Sequence, residues 1–317
     1  MNLTHDFSDV IPVKINEEEP QLCQILYSDE YKETMGLLLA LLQKKEYSER
    51  ALELTQEGIE LLASHYTIWN YRYNILLRLN KDLFEELDWC EQLALENEKN
   101  YQIWNYRQLI IERILELELE DDTRTKKFNP YHEYPILAAM LGEDSKNHHV
   151  WSYRKWLVER FQLYNDEREI LFVDNCLNED LRNNSAWTHR YFIKFGNQDE
   201  NKDDINVKID KEISFAMEAI KVSPQNPSSW NYLIGIYRKF KKSLIELESF
   251  CLQFADININ EQTEDVIKST FALELLAKIF LEKKETLTAL EIFKLLEDKY
   301  DPIRKNYWQY ERSKLEV

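Results

Sequence analysis

The stretch Lys99-Asn100-Tyr101-Gln102-Ile103-Trp104-Asn105-Tyr106-Arg107 recurs in near-copies along most of the chain. Aligned on tryptophan, the copies fall at Trp69, Trp104, Trp151, Trp187 and Trp230, with a degenerate one at Trp308. Asn stands four positions before Trp in four of the six, as Asn100, Asn147, Asn183 and Asn226. Two positions after Trp comes an aromatic ring or imidazole every time: Tyr71, Tyr106, Tyr153, His189, Tyr232 and Tyr310. Arg follows at the third position in four copies, as Arg72, Arg107, Arg154 and Arg190. A register kept this closely marks a structural repeat, not a bias of composition.

The intervals between successive tryptophans are 35, 47, 36 and 43 residues, so the basic unit is 35 residues long, enough for two helices and two short turns. The longer intervals carry polar, turn-like excess at Glu116 to Glu133 and at Asn197 to Asp204, which read as loop insertions. The 78 residues from Trp230 to Trp308 hold two periods, with a worn copy around Phe271. Ahead of the first copy, Tyr31, Met35, Leu38, Leu39 and Leu42 share a helical face. A second helix follows, opened by a Ser48 cap and carrying Ala51, Leu52, Ile59, Leu61 and Leu62. Residues 1–27 read as a polar lead-in, poorly ordered at its start, and 28–317 as a single helical-repeat domain.

Each repeated residue has a local explanation. Asn is a good amino-terminal helix cap, and Asn226 is followed by Pro227, the residue preferred at the first helical position. Trp then sits one turn into the second helix of its hairpin. It shares a face with the Arg three later, while the ring two later points elsewhere, so one helix offers aromatic surface to its own hairpin and to the next. The tryptophans read as core, and a buried guanidinium has to find carboxylate or carbonyl partners.

Only 5 Gly and 7 Pro punctuate 317 residues, while helix-forming Leu, Glu and Lys abound, so the fold class is all-α. A formal net charge of −18 argues against a nucleic-acid partner. Cys23, Cys90, Cys176 and Cys251 are far apart and read as free thiols of a reducing compartment. The amino terminus lacks the basic and apolar regions of a signal peptide, and no stretch approaches 18 uninterrupted apolar residues. These features predict a cytoplasmic protein without membrane insertion.

The six histidines include no H-E-x-x-H pair and no nearby cysteine, which argues against a metal site. The five glycines supply no nucleophile elbow, phosphate loop or dinucleotide fingerprint. The chain should therefore not be an enzyme by itself. Its most informative polar residues lie just before Trp, at the mouths of second helices: Lys99 and Tyr101 in one copy, and Lys146, Asn147, His148 and His149 in the next. Helix amino termini carry partial positive charge, and lysine and ring donors there make an anion seat. On spacing alone, the competing reading is that these residues only cap and solvate turns.

K-N-Y-Q-I-W-N-Y-R at Lys99 to Arg107, D-S-K-N-H-H-V-W-S-Y-R at Asp144 to Arg154, N-N-S-A-W-T-H-R-Y-F at Asn183 to Phe192 and P-Q-N-P-S-S-W-N-Y-L at Pro224 to Leu233 resemble the repeats of protein prenyltransferase alpha subunits. The resemblance covers residues 28 to 315 and is greatest to the alpha subunits shared by farnesyltransferase and type I geranylgeranyltransferase, of the short fungal kind. It implies a right-handed superhelix of about seven antiparallel helical hairpins, curved into a crescent around an obligate beta subunit. It also implies that zinc is bound by the beta subunit, with magnesium as an optional second ion and no metal on this chain. The implied reaction moves a farnesyl or geranylgeranyl group from its diphosphate to the cysteine thiol near the carboxyl terminus of CaaX proteins such as small GTPases.

Carried over residue by residue, the resemblance matches the family's diphosphate-contacting lysine to Lys99 and the tyrosine at the mouth of the active site to Tyr101. The family's Asn-Tyr-His falls on Asn147-His148-His149, so His148 stands where the family has a diphosphate-binding tyrosine. An imidazole still donates a hydrogen bond, and it adds pH dependence. His149 and Asn147 are expected on the peptide side of the cleft. Two other readings compete: the alpha subunit of Rab geranylgeranyltransferase, and a non-enzymatic scaffold of tetratricopeptide type. The Trp-Tyr-Arg pattern lacks the small residues that the scaffold would need.

Overall fold

The computed structural model describes residues 4–14, 22–23, 25–121, 123–164, 166–197, 202–257 and 266–315. The chain divides into two compact units, Met1–Leu157 and Val158–Val317, a division that the repeat register does not mark. In chain order the first unit carries α1 (Asp29–Gln43), α2 (Glu49–Leu61), α3 (Tyr66–Leu79), α4 (Leu83–Glu96), α5 (Tyr101–Glu120) and α6 (Tyr134–Glu143). The division falls within α7 (His148–Phe161). The second unit carries α8 (Glu167–Glu179), α9 (Asn184–Phe195), α10 (Lys202–Val222), α11 (Pro227–Lys239), the short α12 (Glu248–Cys251), α13 (Thr270–Glu282), α14 (Thr286–Leu295) and α15 (Lys305–Ser313). Among the described residues the only strands are β1 (Ala255–Asp256) and β2 (Val266–Ile267), an antiparallel pair two residues long.

Every Trp copy lies in the second helix of a pair: Trp69 on α3, Trp104 on α5, Trp151 on α7, Trp187 on α9, Trp230 on α11 and Trp308 on α15. All six indoles are buried. At Trp69, Trp151, Trp187 and Trp230 the ring N–H donates to the carbonyl six residues earlier, at 2.8–2.9 Å, which ties each helix to its own entry turn. The four asparagines cap as expected, each side-chain oxygen accepting from a first-turn amide: Gln102, His149, Ser185 and Ser228. The two copies without Asn open on His65 and Arg304, and neither of those side chains caps.

The face separation read from the sequence is also present. The indole of one copy packs on the tyrosine of the next: Trp69 on Tyr106 at 4.8 Å, Trp104 on Tyr153 at 5.0 Å and Trp187 on Tyr232 at 5.0 Å between ring centroids. Ring pairs at this spacing contribute about 0.5–1.5 kcal/mol beyond the area they bury. The arginines share the Trp face: Arg72 lies over Trp89 at 3.9 Å and Arg190 over Phe215 at 3.7 Å, rings of the following helix that also meet Trp69 and Trp187, whereas Arg154 lies over Tyr134 of the preceding helix at 4.9 Å.

Buried glutamates complete this arrangement. Glu86 accepts from both Arg72 and Tyr106, Glu133 from Arg107 and Tyr153, and Glu212 from Arg190 and Tyr232. Each of these carboxylates therefore receives the guanidinium of one copy and the phenol of the next, closing the stack with a satisfied polar link. In a copy whose ring is an imidazole, His189 meets Glu169 at 3.0 Å.

Four expectations need correction. The loop predicted over Glu116 to Glu133 is helical as far as Glu120, and at its end Glu133 is buried in the ion pair above rather than solvated. Of the loop predicted over Asn197 to Asp204, Lys202 onward belongs to α10 and 198–201 lie outside the described residues. The worn copy is registered by its Ser269 cap, which puts fully buried Leu273, not Phe271, in the place of Trp. On α1, Leu39 is exposed while Leu37, Ala40 and Leu41 are buried, so the core face is rotated from the predicted one.

The amino-terminal lead-in is also more structured than its composition suggests. Thr4 and His5 donate to the Glu53 carboxylate, Arg50 binds Asp9, and Val13 donates its amide to Gly36 on α1. Gly36 has to lack a side chain, because a Cβ there would meet Pro12 and the Val13 carbonyl at 2.9 Å. Residues 1–3 and 15–21 lie outside the described residues.

Candidate functional site at two helix mouths

The turns that open α5 and α7 lie side by side, and Asn147 holds them together. Its oxygen accepts from the amides of His149 (3.1 Å) and Val150 (3.4 Å), capping α7. Its side-chain N–H donates back to the Glu98 carbonyl, 2.8 Å away in the turn before α5. Asn226 does the same in the second unit, reaching the Leu181 carbonyl at 2.7 Å, so the link is a feature of the repeat. At 2% exposure, with both ends of its amide occupied, Asn147 is interior and positions the two mouths; it does not line an open cleft.

The residues flanking the caps face outward. The Lys99 side chain is 70% exposed and pairs with the Asp144 carboxylate. Asp144 is itself held by the Lys146 amide at 3.1 Å. These hydrogen bonds, from Lys99 first and then Lys146, hold the Asp144 carboxyl below the usual carboxylate range. Tyr101, the first residue of α5, is 54% exposed, and its ring centroid lies 6.1 Å from that of His149. His148 is exposed beside it, 5.7 Å from His149 between ring centroids. Partial burial, then the neighbouring His148 and Lys99, push the His149 imidazole below its ordinary value, which favours its neutral form near pH 7.

The structure thus brings Lys99, Tyr101, His148 and His149 into one outward-facing cluster and places Asn147 beneath it. An ammonium, two imidazoles and the positive ends of two helices make a seat for an anion. Beside it, Tyr101 also lines a cleft of about 410 Å3 with Tyr66, Asn70, Gln102, Asn105 and Leu109. Among the described residues no group of three His, Cys, Asp or Glu side chains converges as a metal site, and no helix is long and apolar enough to cross a membrane.

Sequence reasoning missed Asp144 and the buried glutamates. The glutamates did leave a signal: Glu86, Glu133, Glu169 and Glu212 each precede the repeat's ring residue by 20 positions. Asp144 left none, because its partner is 45 residues away.

Paired helices registered on Trp, capped by Asn and locked by buried Arg-Glu-Tyr links define a helical-hairpin repeat protein. The protein prenyltransferase alpha subunit repeat matches residues 48–79, 83–114, 131–161, 166–193 and 209–240, which are the helix pairs from α2–α3 to α10–α11. The chain belongs to this family. It is 55% identical over 312 residues to the farnesyltransferase/geranylgeranyltransferase type-1 subunit alpha of Candida albicans, covering 98% of this chain and 97% of that one. To the same subunit of Dictyostelium discoideum it is 36% identical, covering 96% and 91%. Among solved structures it is similar to Candida albicans protein geranylgeranyltransferase-I complexed with GGPP, at a TM-score of 0.89 and 54% identity over 98% of this chain and 99% of that one.

Proposed function

We propose that this chain is the alpha subunit of a heterodimeric protein prenyltransferase of the farnesyl/geranylgeranyl type-1 class. Acting with a beta subunit, it transfers a farnesyl or geranylgeranyl group from its diphosphate to a cysteine near the carboxyl terminus of CaaX proteins. The supporting observation is similarity over nearly the full length to type-1 alpha subunits, together with the clustering of Lys99, Tyr101, His148 and His149 at the α5 and α7 mouths. The same similarity favours the type-1 class over the Rab-type alternative. The partner supplies the zinc and most of the substrate cavity, and the reaction is cytoplasmic.

In this reading Lys99 and His148 face the diphosphate, Tyr101 and His149 border the acceptor peptide, and Asn147 fixes the spacing between the two mouths. An ammonium beside the leaving diphosphate offsets charge that grows as the carbon–oxygen bond breaks, so it stabilises the transition state more than the ground state. Exposed Tyr66, Tyr101 and Leu109 form apolar surface that a second chain would cover.

Co-expression with a beta subunit and assay of prenyl transfer to a CaaX peptide tests the proposal. The wild-type complex turns over, and Lys99→Ala in the same complex lowers kcat by about tenfold or more. Failure to form a complex removes the proposal, and full activity of Lys99→Ala removes the role of Lys99.

A further inference from the structure

We infer that Asp144 is an internal counter-ion that competes with the anionic substrate and product for Lys99, weakening diphosphate binding so that product leaves readily. The inference rests on the reading of Lys99 as a diphosphate contact.

The two partners of this ion pair differ in freedom. Asp144 belongs to a tightly bonded turn: its amide donates to Met140 at 3.1 Å, its carbonyl accepts from Asn147 at 3.0 Å and its carboxylate accepts from Lys146 at 3.1 Å. Lys99 has a four-carbon stem and a largely exposed side chain. An incoming anion therefore draws Lys99 away from Asp144, and the carboxylate stays in place as a fixed negative charge beside the seat. The hydrogen bonds that lower its carboxyl keep that charge present throughout the neutral range.

The repeat also shows that this contact does not need a carboxylate. In the second unit, Arg182 holds the same place before its cap Asn183 and reaches Ser223 in the next turn at 3.1 Å. Gln225, before Asn226, accepts instead from Thr270, the residue after the Ser269 cap, at 3.3–3.4 Å, again without a carboxylate. A neutral partner thus meets the architectural requirement, and the charge of Asp144 is surplus to it. An exposed ion pair is worth a factor of one to about five in an equilibrium constant, which sets the size of the competition.

The experiment uses the co-expressed heterodimer, with inorganic diphosphate as competitive probe and CaaX peptide turnover as readout. Asp144→Asn keeps an acceptor for the Lys146 amide and removes the charge; Asp144→Ser copies the place of Ser223 and serves if the first variant does not fold. The expected result is a two- to fivefold tighter inhibition constant for diphosphate at low salt. This gain shrinks at high salt, disappears in the Lys99→Ala background and leaves the peptide KM unchanged. Unchanged or weaker diphosphate binding in Asp144→Asn overturns the inference. If Lys99→Ala itself leaves diphosphate binding unaltered, the underlying reading of Lys99 has failed instead.

Discussion

Replacing Glu133 tests whether the buried polar links hold the stack together. Arg107 and Glu133 are each 2% exposed and paired through two hydrogen bonds, at 3.0 and 2.7 Å, while Tyr153 adds a third at 2.7 Å. In Glu133→Ala the guanidinium stays buried with only the Leu87 carbonyl, 2.7 Å away, among these partners. Removing one partner of a buried pair costs about 3–5 kcal/mol. For a unit of this size, 1 kcal/mol shifts Tm by about 2–4 °C, so a fall of about 6–20 °C is expected. Differential scanning calorimetry on the purified complex measures it. The apolar replacement Arg107→Met, Glu133→Leu and Tyr153→Phe removes every polar member together and is expected to recover most of the loss, since a buried pair rarely outweighs well-packed hydrocarbon. A loss below about 1 kcal/mol for Glu133→Ala, or a triple variant less stable than the single one, would refute the reasoning.

The amino-terminal segment and the thiols give further tests. Burial opposes the charge of Glu53, but hydrogen bonds from Thr4 and His5 outweigh it and bring its carboxyl down to about 2. The folded pKa is depressed, so this contribution is present above the ordinary value of 4.5 and is lost as pH falls toward about 2. Residues 4–10 should become sensitive to proteolysis by pepsin across that window, and Glu53→Gln should make them sensitive at pH 5. Burial pushes the Cys90 and Cys251 thiols up to about 12, whereas Cys23 is exposed. Maleimide labelling at pH 7 should modify Cys23 quickly and spare Cys90 and Cys251 until denaturant is added, as followed by peptide mass spectrometry.

What could be read from the sequence was local. Asn100, Asn147, Asn183 and Asn226 were legible because a cap acts within three residues, and the tryptophans because helical period and burial leave a regular spacing. The Arg partners left no fixed spacing from arginine, at 14, 26 and 22 residues for Arg72, Arg107 and Arg190, and are marked only by standing 20 positions before the ring residue. Composition misled at the amino terminus, where polar Thr4, His5 and Asp9, though exposed, are bound by Glu53 and Arg50. Of the candidate site, Lys99, Tyr101, His148 and His149 do cluster, whereas Asn147 carries the joint beneath them, a role set by a carbonyl in the preceding copy.

That joint explains why chemistry in this repeat can be confined to two copies. Asn suits the cap because one amide serves two turns, as at Asn147 and Asn226, and Asn147, Asn183 and Asn226 are almost wholly buried. The positions on either side of the cap are exposed in all four copies: Lys99 and Tyr101, Lys146 and His148, Arg182 and Asn184, Gln225 and Pro227. Substitution there disturbs no core contact and typically changes stability by less than about 0.5 kcal/mol. The scaffold thus offers each copy two exposed side chains at the positive end of a helix, placed by a buried neighbour. Where those side chains are Lys99, Tyr101 and His148, with His149 one residue deeper, adjacent mouths combine into one cluster of hydrogen-bond donors. In the later copies the same positions hold Arg182, Asn184, Gln225 and Pro227, without the ring donors of Tyr101 and His148, so the architecture repeats and this set of donors does not.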